Sequence, residues 1–176
     1  MGIKETTVIN IFGGPSAGKT GCAWNIGSEL KRRGESVEYV SEYAKELVWD
    51  ENFELLTKQK HIHEVQSGRV KRLIGKVAYI VTDSPVLMGI IYGRMHGVDI
   101  DAEANEFHNL NKSLNLFLER SDSPFEAEGR VHNLQESIDI DNQIKQLLAH
   151  HAVKYLIINH ENAIETVNRE LFHLDA

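Results

Sequence analysis

Gly13, Gly18, Lys19 and Thr20 stand in "GGPSAGKT" with the spacing Gly-x-x-x-x-Gly-Lys-Thr, directly after the β-rich run "TTVINIF". That spacing carries specific chemistry. Glycines let the backbone fold so that successive N–H groups converge, and a cluster of phosphate oxygens suits the point of convergence. A helix beginning near Lys19 adds the positive end of its dipole. The Lys19 ammonium can then reach the β- and γ-phosphates of a nucleoside triphosphate, and the Thr20 hydroxyl can ligate Mg²⁺. The expected phosphate contacts come from Gly13, Gly14, Pro15, Ser16, Ala17, Gly18, Lys19, Thr20 and Gly21, with ATP and Mg²⁺ as cofactors. A glycine turn that merely ends a strand is the bland alternative, and the strand before and helix after speak against it.

Other residues stand where they could meet a migrating phosphate. Asp83 closes the apolar run 77–82, where a carboxylate sits beside Mg²⁺ in phosphoryl-transfer sites. Followed by Ser84 and Pro85, it also reads as the cap of the next helix. Ser84 replaces the glutamate that polarises water in work-driving ATPases, which tilts the reading toward an acceptor other than water. Glu42 ends the run 36–40 and is the candidate general base, with a capping or solvated glutamate as the alternative. Arg120 and Arg130 bracket a stretch without period, and residues 121–137 are expected to be mobile. As a lid over roughly 120–137 it would bring arginines to the phosphoryl group; pairing with Glu126 or Glu128 is the other reading. His61 and His63 do not share a helical face, so no metal site is expected from them. Gln66 and Arg69 read as a solvated helix face, with a contact to an acceptor's ring or phosphate as the alternative, and Cys22 and Trp24 as packing residues.

The elements that must carry these groups alternate strictly. Strands are expected at residues 6–12, 36–40, 77–82, 114–118 and 154–159. Helices are expected at 19–33, 43–49, 58–74, 86–95, 102–110 and 138–150, with a closing helix marked by Ile164, Val167 and Leu171. That rotation means an α/β fold: a five-stranded parallel sheet with helices on both faces, three layers in all. Ligands then bind at the carboxyl ends of the strands, where Gly13, Glu42 and Asp83 fall.

The 176 residues fit one domain, and the net charge of −7 opposes broad nucleic-acid binding while leaving a local basic groove open. One cysteine excludes an internal disulfide, no apolar run reaches about 20 residues, and no secretion signal is evident. A cytoplasmic protein with no membrane partner is expected, and a homo-oligomer is open.

Taken together, the chain resembles the P-loop kinase domain that phosphorylates ribosylnicotinamide in bacterial NAD salvage, and its small phage-encoded AAA-type ATPase/kinase relatives. The likeness runs over nearly the whole sequence: "GGPSAGKT", "SEYAKELVW", "VTDSP", "FLER", "EGR" and "DIDNQIKQLLAHHAVKYLIIN" come in the family's order. It implies a P-loop NTPase fold, with Glu42, Asp83 and Arg130 at the family's two strand-end acids and lid arginine. It further implies an ATP–Mg²⁺ phosphotransferase acting on a nucleoside- or nucleotide-like small molecule. One alternative is a kinase acting on a hydroxymethylated base of the 5-hydroxymethyl-deoxyuridine type in phage DNA, with Lys58, Lys60, Arg69, Lys71 and Arg72 as its groove. Another is a nucleotide-binding NTPase or switch module.

Overall fold

The run "TVINIF" forms β1 (Thr7–Phe12), buried along its whole length, and its alternation divides the apolar residues between two cores. Val8 and Phe12 point to one side and Ile9 and Ile11 to the other, as a strand in the middle of a covered sheet must. The computed structural model describes residues 5–120 and 133–173. After β1 come α1 (Lys19–Arg32), β2 (Val37–Val40), α2 (Tyr43–Trp49), α3 (Phe53–Leu56) and α4 (Gln59–Lys71). There follow β3 (Tyr79–Thr82), a 3-10 turn (Val86–Met88), α5 (Gly89–Met95), α6 (Asp101–Asn109), β4 (Ser113–Leu118), α7 (Leu134–His150), β5 (Leu156–Ile158) and α8 (Ala163–Phe172).

The five strands pair in parallel in the order β2-β3-β1-β4-β5. The chain winds to one side of β1, then crosses to the other, so the loop leaving β1 lies where the winding reverses. Register brings the ends level: Asn10 and Val40 both stand opposite Thr82, so Gly13, Glu42 and Asp83 leave the same edge together. One core packs Ile26 and Leu30 of α1 and Val167 of α8 against Ile9, Ile11 and Val81. The other packs Val70 of α4, Ile90 of α5, Ala104 of α6 and Ile144 of α7 against Val8, Phe12, Ile80 and Phe117. Among the described residues, no helix is long and apolar enough to cross a membrane.

Some expectations change. Trp24 is 62% exposed rather than packed, because the buried stripe of α1 runs through Cys22, Ala23, Ile26 and Leu30 and Trp24 lies off it. Cys22 is buried as expected, and burial pushes its thiol up to about 12. The expected helix over 86–95 begins as a 3-10 turn behind Pro85. The extra helix α3 starts from Asn52, whose side chain accepts the Leu55 N–H at 3.1 Å. The aperiodic segment expected over 121–137 is shorter at its far end: Leu134–Ser137 are the first turn of α7. The capping box of Asn133 and Glu136 explains this, since each side chain bonds the other's backbone N–H, at 3.0 and 2.8 Å. Residues 121–132, with Arg130, lie outside the described residues.

Candidate active site

The stretch after β1 takes backbone angles that its glycines permit. Gly13 and Gly18 have φ of 147° and 87°, and Ser16 between them has φ of 55°. Gly14 needs its missing side chain for space: a Cβ there would stand 2.4 Å from the Ser137 carbonyl oxygen. At Gly18 a Cβ would stand 2.4 Å from Nε2 of His160, in the loop after β5. Helix α1 starts at Lys19 with no acidic side chain in its first turn, so its positive end is left for a ligand anion. Lys19 is 8% exposed, and its ammonium donates to the Gly14 carbonyl at 2.8 Å, which stretches the side chain back over the loop.

Arg120 and Asp141 brace this loop from outside. The Arg120 guanidinium donates to Asp141 Oδ2 at 2.5 Å, to the Pro15 carbonyl at 2.9 Å and to the Ser137 carbonyl at 3.1 Å. The Asp141 Oδ1 accepts the Gly14 N–H at 2.5 Å. Arg120 therefore stands beside the loop as a strut between β4 and α7. Asp141 is a part of the site that sequence reasoning missed, since an acid on a helix 127 residues away carries no local signal.

Asp83 is 3% exposed and caps nothing; the following turn has Pro85 at its cap position and no side-chain cap bond. Its Oδ2 instead accepts from the Thr20 hydroxyl at 2.6 Å and the Tyr39 hydroxyl at 2.8 Å. Burial first, then the Asp83 charge, keeps Tyr39 protonated far above the ordinary tyrosine range. Asp83 Oδ1 is buried with no hydrogen-bond partner among the described residues. A hydroxyl and a carboxylate with an unsatisfied oxygen are hard oxygen donors of the kind Mg²⁺ takes when it keeps most of its waters. Thr20 and Asp83 thus fit the ion. Tyr39, which holds the carboxylate, went unnoticed because β2 announces only a short strand.

Glu42 is the N-cap residue of α2, yet its side chain makes no cap hydrogen bond. It lines, with Lys19 and Asp83, a cavity of about 360 Å³. The same cavity is lined by Lys45 and by the apolar side chains Val48, Leu56, Ile62 and Met88. These come from α2, α3, α4 and the turn after β3, so no contiguous motif marks them. His63 and Gln66 of α4 are buried in its wall, contrary to the solvated face expected for Gln66. Arg69 is turned away, paired through both guanidinium nitrogens with Glu46 at 2.7 and 2.5 Å and stacked 4.9 Å over the Tyr43 ring. His61 meets that ring edge-on at 6.0 Å, so the two histidines diverge.

Comparison with known proteins agrees with this geometry. A family model described as "AAA domain" matches residues 8–165. Among solved structures, the NadR protein in complex with NR is similar with a TM-score of 0.72 and 16% identity, over 97% of this chain and 52% of that one. The chain thus spans about half the length of that protein. Shikimate kinase from Bacteroides thetaiotaomicron is similar with a TM-score of 0.53 and 13% identity, over 96% of this chain and 99% of that one. No curated protein sequence matches the chain. At these identities the likeness speaks for the fold, and the fold is the three-layer P-loop NTPase fold.

Proposed function

We propose that this chain, which belongs to the AAA domain family, is a kinase that transfers the γ-phosphoryl group of ATP to a hydroxyl of a small nucleoside-like acceptor. One observation carries the reading: Lys19, Glu42 and Asp83 line the same cavity as a set of apolar side chains, Val48, Leu56, Ile62 and Met88 among them. An ATPase that needs only water has no use for such a chamber. The solved structures of similar fold include a kinase of a small molecule, which agrees with this division of labour.

Each residue has a task in that transfer. The loop amides and the Lys19 ammonium hold the donor phosphates and take up charge as the bond from the γ-phosphorus to the bridging oxygen breaks. Thr20 and Asp83 would hold Mg²⁺, which would supply charge neutralisation to the donor phosphates. Glu42 accepts the proton of the acceptor hydroxyl as its oxygen bonds to phosphorus. ADP leaves with the electrons of the broken bond. Arg120 fixes the loop, and Arg130 is the remaining candidate for the migrating group.

The charge inventory of the cavity favours a nucleoside over a nucleotide or a carboxylate. Its fixed cations are Lys19, already committed to the donor, and Lys45, and no arginine lines it among the described residues. The DNA alternative finds less support. Of its five groove residues, Lys58 pairs with Glu54, Lys60 with Glu103 and Arg69 with Glu46. The test uses γ-labelled ATP and Mg²⁺ with ribosylnicotinamide, thymidine and adenosine, their monophosphates, and DNA bearing hydroxymethylated pyrimidines. Label should enter a nucleoside. Label in DNA alone, or ADP release at the same rate without any acceptor, would overturn the proposal.

A further inference from the structure

The position of Glu42 is fixed by a single side chain from another element. Gln66 of α4, 5% exposed, accepts the Tyr43 N–H on Oε1 at 3.0 Å and donates from Nε2 to the Ser41 carbonyl at 3.2 Å. The first group belongs to the peptide after Glu42 and the second to the peptide before it. One planar amide therefore holds both peptide planes that meet at the Glu42 Cα, whose φ and ψ are −70° and 116°. The orientation of the amide follows from its partners, because an N–H requires the oxygen and a carbonyl requires the nitrogen. Arg69, one turn further along α4, grips the same junction through Glu46 and the Ser41 hydroxyl, but not through the peptides of Glu42. The Glu42 side chain, at the N-cap of α2, makes no cap bond of its own.

We infer that Gln66 is the positioning residue for the base: its amide clamps the backbone on either side of Glu42 and so aims the carboxylate into the cavity. This rests on the reading of Glu42 as the proton acceptor. A displacement of about 1 Å at a catalytic group can cost about a hundredfold in rate. Gln66 also lines the cavity proposed for the acceptor.

A double-mutant cycle tests this, with the full chain, Mg²⁺, ATP and an equal mixture of ribosylnicotinamide, thymidine and adenosine as acceptors. Gln66→Met keeps the length of the side chain and removes both bonds; Gln66→Glu keeps the oxygen for Tyr43 and loses the donor to Ser41. Turnover should fall about 10- to 100-fold in Gln66→Met and less in Gln66→Glu, with KM for ATP within about twofold of the parent. In a Glu42→Gln background neither change should lower the residual rate further, because the clamp then has no base to aim. A full additional loss in that background, a rise in KM for ATP that matches the loss of turnover, or an unchanged rate in both single variants overturns the inference while leaving Glu42 in its role. If Gln66→Met does not purify folded, Gln66→Glu carries the same cycle. Full turnover in Glu42→Gln alone, or no labelled product from any acceptor, instead removes the reading beneath it.

Discussion

The loop proposed to hold the donor and the cavity proposed to hold the acceptor meet at Lys19 and Asp83, yet they are built in opposite ways. The loop is a run of consecutive residues whose shape is dictated by its own glycines and stiffened by a few short polar bonds from Arg120 and Asp141. The cavity draws single apolar side chains from α2, α3, α4 and the turn after β3, and its polar control comes from the buried Gln66. Backbone amides present one fixed arrangement, which suits a donor whose phosphates are always the same. Apolar side chains can be exchanged one at a time, which suits an acceptor that differs between relatives.

Substitutions on the two sides should therefore separate cleanly. Lys19→Ala should lower turnover by at least about a thousandfold with every acceptor, measured by ADP release, because the ammonium acts on the donor alone. Asp141→Ala frees the Gly14 N–H and one face of Arg120; KM for ATP should rise about tenfold while KM for the acceptor stays within about twofold. Val48→Asp should do the reverse, raising KM for the acceptor about tenfold with ATP affinity unchanged, since it places a bare charge among the apolar side chains that line the cavity. A parallel rise in both constants for either variant would erase the distinction.

The smallest effect concerns pH. Burial holds His63 below the usual imidazole range, against the opposing charges of Glu103 and Glu64, and it holds His108 low together with the His151 charge. The unfolded chain then binds more protons than the native one once pH falls below about 6.5, so stability is full above that value and declines with acidification. Thermal melts at pH 7.5 and 5.5 should differ by a few degrees, roughly, and His63→Gln should narrow the gap. An unchanged gap would mean that the cavity wall hydrates the imidazole as well as water does.

How much of this the sequence disclosed follows the same division. Strand β1, the glycine loop and α1 were legible because period and spacing are local properties, and Asp83 was legible because strand ends converge in a parallel sheet. The bond from Thr20 to Asp83 resolves the capping reading of that residue, which the sequence alone left open. Tyr39, Asp141 and the buried face of α4 were not legible, because each bonds a partner on another element of the chain. The start of α7 was missed for a different reason: the first turn "LQES" carries little apolar period, and the capping box of Asn133 and Glu136 sets it instead.

The strut between β4 and α7 also bears on how the molecule survives being cut. Arg120 closes β4, which is bedded between β1 and β5, and Asp141 lies two turns into α7, whose Ile140 and Ile144 pack on the sheet. Both side chains are fastened to the same few backbone atoms at Gly14 and Pro15. A chain severed between residues 120 and 133 would keep Arg120 and Asp141 bonded to the loop after β1, so its two fragments would travel as one particle until a denaturant parts them.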